Sequence, residues 1–380
     1  MDFISNMSAL FDNFTNITWQ MIVMWIIGGV LIYLAISKEM EPSLLLPMGF
    51  GVILVNLPLS GAITQGNEEG ALSTLFNAGI ANELFPLILF IGIGAMIDFG
   101  PLLSNPKMLL FGAAAQFGIF FTLSMARLFG FELIDAASIG IIGAADGPTS
   151  IFVANYFHSN YSAAITVAAY SYMALVPIVQ PPVIKLITTK KERMIRMDYE
   201  QRDISKTTRI LFPIIVTIIA GLVAPKSVSL IGFLMFGNLI RECGVLKSLS
   251  ETAQNVLANL VTIFLGITVA VNMRADTFLK WETILIFILG LIAFIFDTIG
   301  GVMFAKLINI FSKKKINPMI GAAGISAFPM ASRVVHKMGR DEDPGNFLLM
   351  HAAGANVAGQ VASVIAGGLV MTLVSRIIGL

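Results

Sequence analysis

Gly143-Ala144-Ala145-Asp146-Gly147-Pro148-Thr149-Ser150 lies within an otherwise apolar stretch, residues 132–156. Two properties of this octapeptide decide the reading of the chain. Gly147 and Pro148 interrupt a helix, and Pro148 removes a backbone donor. Asp146 places a carboxylate where burial in hydrocarbon costs at least about 2.5 kcal/mol, so it marks a functional position by default. A second stretch, Asn317-Pro318-Met319-Ile320-Gly321-Ala322-Ala323-Gly324-Ile325-Ser326-Ala327-Phe328-Pro329, repeats the Gly-Ala-Ala core and carries two prolines.

The surroundings of both stretches are those of a membrane protein. Hydrophobic residues make up 56% of the 380, and charged residues only 12%, against roughly 25% in soluble domains. A fold of that composition cannot keep a wet surface, so most of its surface faces lipid. The net charge of +1 offers nothing to nucleic acid. The one cysteine, Cys243, has no partner for an internal disulfide and no His or Cys beside it, which argues against redox or zinc chemistry. The first 16 residues have no basic run before their apolar positions and read as an interfacial amphipathic helix rather than a cleaved signal.

A spanning helix needs about 20 mostly apolar residues. Such segments run near 17–36, 43–60, 85–104, 107–129, 132–156, 162–187, 208–224, 227–244, 256–273, 282–311, 316–335 and 346–379. The loop 185–209 carries Lys185, Lys190, Lys191, Arg193, Arg196, Arg202, Lys206 and Arg209, and Lys313 to Lys315 form a second basic run. Both belong on the cytoplasmic side, while the N-terminus, without Lys or Arg before Lys38, belongs outside. That count works only if 132–156 and 316–335 each enter and leave on one face. The expectation is therefore an all-α polytopic protein with about ten spanning helices and two broken or re-entrant segments, dipping in from opposite faces as in inverted-repeat transporters. The organisation expected is 1–16 interfacial helix, 17–84 N-terminal helices, 85–187 first repeat, 188–207 basic loop and 208–380 second repeat.

Carboxylate, carboxamide, hydroxyl and carbonyl oxygens are what a hard cation takes as ligands. Asp146 offers the first, Thr149 and Ser150 the hydroxyls, and the interrupted helix its free carbonyls. Asp146 also reads as the cap of the half-helix that follows, and the two roles are compatible. Asn317 and Asn356 are carboxamides at or inside apolar segments, serving either as ligands or as cross-links. Ser326 shares the second broken segment, where a lone serine often bonds back to its own helix. Tyr170 and Tyr172 lie mid-segment, where a phenol needs a hydrogen-bond partner; Asp146 is the nearest carboxylate in sequence. Arg333 follows the second broken segment and suits a carboxylate or carboxylated ring, or anchors the helix at the interface. Asp98 and Asp297 read either as ion-path groups or as local caps. His158, His336 and His351 show no metal-ligand spacing.

The stretches GAADGPTSIF (143–152), YSYM (170–173), NPMIGAAGISAFPMASRV (317–334), GIGAMIDFGPLL (92–103) and GANVAGQVASVIAGG (354–368) resemble the beta subunits of sodium-translocating, biotin-dependent decarboxylases, which act on oxaloacetate, glutaconyl-CoA or methylmalonyl-CoA. The likeness runs from about residue 17 to the end. It implies a multi-pass inner-membrane subunit with an elevator-like core and scaffold, present as a homotrimer. It also implies a carboxyltransferase alpha subunit, a biotin carrier subunit and a small membrane anchor subunit as partners. The membrane subunit binds carboxybiotin, releases CO2 with uptake of a proton, and drives Na+ outward. On the matching positions, Asp146 is the essential carboxylate. Asn317, Gly321, Ser326 and Arg333 are the functional residues of the second broken segment, Tyr172 is the functional tyrosine, and Asn356 belongs to the sodium site.

In that scheme Asp146, Asn317 and Asn356 hold sodium. Ser326 and Arg333 receive carboxybiotin, and Asp146 and Tyr172 deliver the proton, with Gly147, Pro148 and Gly321 structural. The sequence contains no Ala-Met-Lys-Met biotin-attachment motif, so biotin comes on a partner. The compactness of the chain points to the acyl-CoA branch. From the residues alone, a sodium-coupled secondary transporter or sodium/proton antiporter without bond cleavage fits the broken segments equally well.

Overall fold

The computed structural model describes residues 12–39, 42–198 and 203–379. Apart from one isolated bridge between Gln65 and Glu68, the regular structure of the described residues is helical. Chains in hydrocarbon satisfy their backbone internally, which favours this outcome. In chain order, the helices used below are α1 (Trp19–Ser37), α2 (Pro42–Val55), α3 (Leu133–Gly140), α4 (Gly147–Tyr156), α5 (Ser162–Ile187), α6 (Ala258–Val269), α7 (Trp281–Phe311), α8 (Met319–Ala322), α9 (Met330–Glu342) and α10 (Leu349–Ile378). The interfacial helix expected at 1–16 lies outside the described residues except for a 3-10 turn at Asp12–Asn16. Arg202 of the basic loop also lies outside them.

Among the described residues, six helices are long and apolar enough to cross a bilayer: Trp19–Ser37, Pro106–Leu128, Lys206–Val223, Lys247–Asn272, Trp281–Phe311 and Leu349–Ile378. Counting Ala71–Gly79 with Leu84–Met96, and Ala164–Met173 with Leu175–Ile187, as one bent span each brings the number to eight. Other apolar stretches fall short because they are interrupted or brief, as at Pro42–Val55 and Leu133–Ala144. Large apolar side chains such as Ile26, Ile36, Leu222 and Phe311 stand exposed on these helices, as a lipid-facing surface requires. The chain is a multi-pass membrane protein.

Contacts divide the chain into two compact units: residues up to 86 with 259–285, and 87–258 with 286–380. In the first unit, α1 and α2 pack through glycines. A Cβ on Gly28 would lie 2.8 Å from the Gly49 carbonyl oxygen, and one on Gly49 would lie 2.7 Å from that of Gly28. Such close backbone approach is how membrane helices associate without a hydrophobic drive between them. Asn56, just beyond α2, ties in residues 273–275: it donates to the Met273 carbonyl at 2.8 Å and accepts from the Ala275 N–H at 2.7 Å.

The second unit contains both broken segments. The first runs as α3, a 3-10 turn at Ile141–Ala144, a left-handed Ala145 (φ 51°), an extended Asp146, and then α4. The second runs as α8, a non-helical stretch at 323–329, and then α9. α10 carries a helix face of small and polar residues past both. A Cβ on its Gly359 would meet the Gly324 carbonyl oxygen at 2.1 Å.

Candidate functional site

Ala145 in the left-handed region turns the chain before Asp146, so Asp146 becomes the N-cap of α4 with Gly147 and Pro148 in its first turn. Pro148 costs nothing there, because the N–H it lacks has no intrahelical partner. The Asp146 Oδ1 accepts the Thr149 backbone N–H at 3.2 Å. Its Oδ2 accepts four donors: the hydroxyls of Ser363 (2.7 Å), Thr149 (2.8 Å) and Ser326 (3.0 Å), and the Gln360 amide (3.3 Å). All five residues are buried. The ion pairs of the described residues do not include Asp146. The buried carboxyl group is therefore held by neutral donors alone.

The two broken segments meet at this point. Besides the Ser326–Asp146 bond, the Ser326 N–H donates to the Ala144 carbonyl at 3.1 Å. Side chains of neighbouring helices reach three carbonyls of the second segment. Asn356 on α10 donates to the carbonyls of Ile325 (2.7 Å) and Ala327 (3.5 Å), and Gln180 on α5 donates to that of Ala322 (2.6 Å). Both amides then leave a side-chain oxygen buried without a hydrogen-bond partner among the described residues, Asn356 Oδ1 and Gln180 Oε1. Buried polar atoms are rarely left so.

Tyr170 covers the start of α4. A Cβ on Gly147 would lie 2.3 Å from its ring, so only glycine permits this approach. The Tyr170 hydroxyl is buried and has no partner among the described residues. Tyr172 points elsewhere: its hydroxyl bonds to the Phe287 carbonyl of α7, and its ring lies over Gly290.

Asn317 begins the second broken segment. Its amide donates to the carbonyls of Arg193 (2.8 Å) and Ile195 (2.9 Å), and its Oδ1 accepts the Met319 N–H (3.1 Å). The structure thus puts it at the junction of the basic loop and α8, with each of its polar side-chain atoms in use. Gly321 faces Gly301 of α7, where a Cβ would stand 1.9 Å from the Gly301 carbonyl oxygen. Arg333 is exposed on α9. Asp98 accepts the Gly100 N–H (2.8 Å) and lies 3.6 Å from Arg209, while Asp297 accepts the Gly118 N–H and keeps its Oδ2 buried without a hydrogen-bond partner among the described residues.

Gln360 and Ser363 are the contributors that sequence reasoning missed. A signal for them exists: Asn356, Gln360 and Ser363 are spaced i, i+4, i+7, one helix face, within a run otherwise apolar and rich in glycine and alanine. The donor set is oxygen-rich and carries one formal charge. Among the described residues, no three of His, Cys, Asp and Glu gather as a metal cluster. Such a set matches a hard monovalent cation as cargo.

The family model of the Na+-transporting oxaloacetate decarboxylase beta subunit matches residues 20–374. The chain belongs to this family. It is 51% identical to the methylmalonyl-CoA decarboxylase subunit beta of Veillonella parvula, over 93% of each chain. It is 50% identical to the glutaconyl-CoA decarboxylase subunit beta of Acidaminococcus fermentans, over 96% of each. With the oxaloacetate decarboxylase beta chain of Klebsiella pneumoniae the identity is 44%, over 93% of this chain and 94% of the other. The protein is thus a decarboxylase beta subunit of a multi-subunit, Na+-transporting complex.

Proposed function

We propose that this chain decarboxylates carboxybiotin presented by a carrier subunit and uses that step to move Na+ outward across the cell inner membrane. The observation that carries the reading is the Asp146 carboxylate, buried among neutral donors where the two broken segments and α10 converge. Carboxybiotin on the partner supplies the carboxyl group released as CO2 and accepts a proton in its place.

The chain's own residues do the rest. Asp146 Oδ2 holds either Na+ or the proton, because one carboxylate so enclosed carries one compensating charge at a time. The hydroxyls of Thr149, Ser326 and Ser363 donate to Oδ2, and each retains lone pairs for a cation. Asn356 Oδ1 supplies a further oxygen. Asn317 orders the loop and α8 at the approach to the site. Ser326 links that approach to Asp146, and Arg333 meets the carboxylated ring from the cytoplasmic side. Tyr170 and Tyr172, on either side of α5, serve proton delivery and the hold of α5 on α7. Exchange of Na+ for H+ at one carboxylate is the coupling.

In this reading, about ten segments span, the broken pair forms an inverted repeat, and the unit bearing Asp146 is the moving core of an elevator. The partners are a carboxyltransferase alpha subunit, a biotin carrier and a small membrane anchor, around a trimer of this chain. The acyl-CoA branch is favoured by identities of 51% and 50% against 44%. The alignment with the Klebsiella pneumoniae chain also runs over 410 positions, more than the 380 residues present here, so that chain carries insertions.

The test is CO2 release from free carboxybiotin by the purified chain, with and without Na+. Sodium-dependent release that disappears in Asp146→Asn supports the reading. A folded chain that moves Na+ but releases no CO2, even with its partner subunits restored, is a secondary transporter instead.

A further inference from the structure

Helix α9 carries Arg333, Lys337 and Arg340 at spacings of four and three, which sets all three on one face. All three are exposed. The acids around this end of the unit are engaged elsewhere. Glu342 pairs with Arg193 at 2.7 Å, Asp343 with Arg196 at 2.6 Å, Glu192 with Lys306 at 3.0 Å and Asp198 with Lys314 at 3.2 Å. Among the described residues, the ion pairs leave out the three cations of α9. Asp341 is the one acid exposed beside them, so the stripe keeps a net charge of +2. Arg340 lies over the exposed ring of Phe347, 5.4 Å from its centroid.

The same helix presents no exposed large apolar side chain; Val334, Val335 and Met338 are buried. A basic helix seated in a lipid interface lays apolar side chains beside its cations. Apart from the Phe347 ring under Arg340, this face lacks them, and α9 turns its own apolar side chains inward. Next to the stripe a cleft of about 380 Å³, bordered by Pro177, Pro181, Lys185, Lys337 and Asp341, separates α5 from α9.

We propose that the Arg333–Lys337–Arg340 face of α9 is the docking surface for an acidic face of the biotin-bearing partner subunit. The inference rests on the carboxybiotin reading above and gives that reading its partner surface. Complementary charge raises the encounter rate and orients the complex without making it permanent, which suits a carrier that must leave after each turnover. α9 begins four residues after Ser326, so a carrier held here sits on the helix that continues the segment touching Asp146.

The experiment uses the full chain in lipid nanodiscs and the double variant Lys337→Glu/Arg340→Glu, which spares Arg333. Two substrates are compared, free carboxybiotin and the carboxylated carrier subunit, and carrier binding to immobilised discs is read separately from turnover. Expected are a roughly tenfold or greater fall in kcat/KM for the carrier-borne substrate, through KM and with weaker salt dependence, and an unchanged rate with free carboxybiotin. Lys337→Arg/Arg340→Lys retains wild-type behaviour. Unchanged carrier affinity in the charge-reversed variant overturns the proposal, as does an equal fall with both substrates. A fall seen only in discs containing anionic phospholipid assigns the stripe to lipid and also overturns it. A wild-type chain that binds carrier through these residues but never releases CO2 sinks the carboxybiotin reading and leaves the docking surface standing.

Discussion

At the residue scale, Asp146 Oδ2 receives hydrogen bonds from Thr149, Ser326, Gln360 and Ser363, residues spread over more than 200 positions of chain. Replacing the carboxylate by an amide in Asp146→Asn turns one oxygen into a donor facing other donors. Sodium-dependent turnover is expected to fall at least about a hundredfold, since a hydrogen bond to a charged group is worth about 1.5–3 kcal/mol and several are lost. Ser363→Ala removes one donor and should raise the half-saturating Na+ concentration about tenfold. The control Ser124→Ala, whose hydroxyl bonds to the Phe120 carbonyl on an exposed helix face, should leave it unchanged. Titrating Na+ in both variants checks this. Because proton and cation share one carboxylate, half-saturating Na+ should also rise as pH falls in the wild-type chain; a pH-independent value would remove the exchange step. Tyr170 and Tyr172 show how far residue-level reading reaches. They differ by two positions, about 200° around a helix, so only one faces any given neighbour. Local sequence does not say which; packing puts Tyr170 on Gly147 and Tyr172 on α7.

At the element scale, α7 and α8 touch through Gly301 and Gly321. A methyl on Gly321 would press on a backbone carbonyl at 1.9 Å, which cannot rotate away, and overpacking of this kind costs about 1–3 kcal/mol. Gly321→Ala should lower the thermal midpoint of the detergent-solubilised chain. Gly29→Ala in α1, where nothing lies within 4 Å, should hold or raise it, since alanine is the better helix former. The basic loop is fastened to α9 by the bidentate Arg196–Asp343 pair, with contacts of 2.6 and 2.9 Å. That guanidinium holds the Asp343 carboxyl below the usual carboxylate range. A depressed carboxyl contributes its stabilisation above the unfolded value of about 3.9 and loses it as pH falls through its lower folded value. Exchange protection of residues 193–198, corrected for intrinsic rates, should therefore stay level from neutral pH down to about 4 and fall only below it. In Asp343→Asn it should be low throughout. The loop's many cations were plain in the sequence, but this fastening was not, because its partners are 147 residues apart.

At the scale of the whole molecule, composition determined the membrane class, since lipid is the only solvent for a chain 56% hydrophobic. Gly147, Pro148 and the prolines at 318 and 329 marked both broken segments, because breaking a helix is a local property of the backbone. Asp146 announced itself for the same kind of reason, a charge in a run that excludes charge. The number of spans was less legible: segments near the threshold length depend on how each helix bends, which the hydropathy of a window does not record. Tertiary structure alone decided that the two broken segments meet through Ser326 and Ala144, that α10 turns Gln360 and Ser363 toward Asp146, and that Asn317 engages the carbonyls of the basic loop. These contacts join residues 120 to 220 positions apart. Their formation depends on close backbone approach at glycines such as Gly321 and Gly359. Hydropathy and helix breaking act along the chain and can be read there, whereas convergence on one carboxylate is settled by packing between helices.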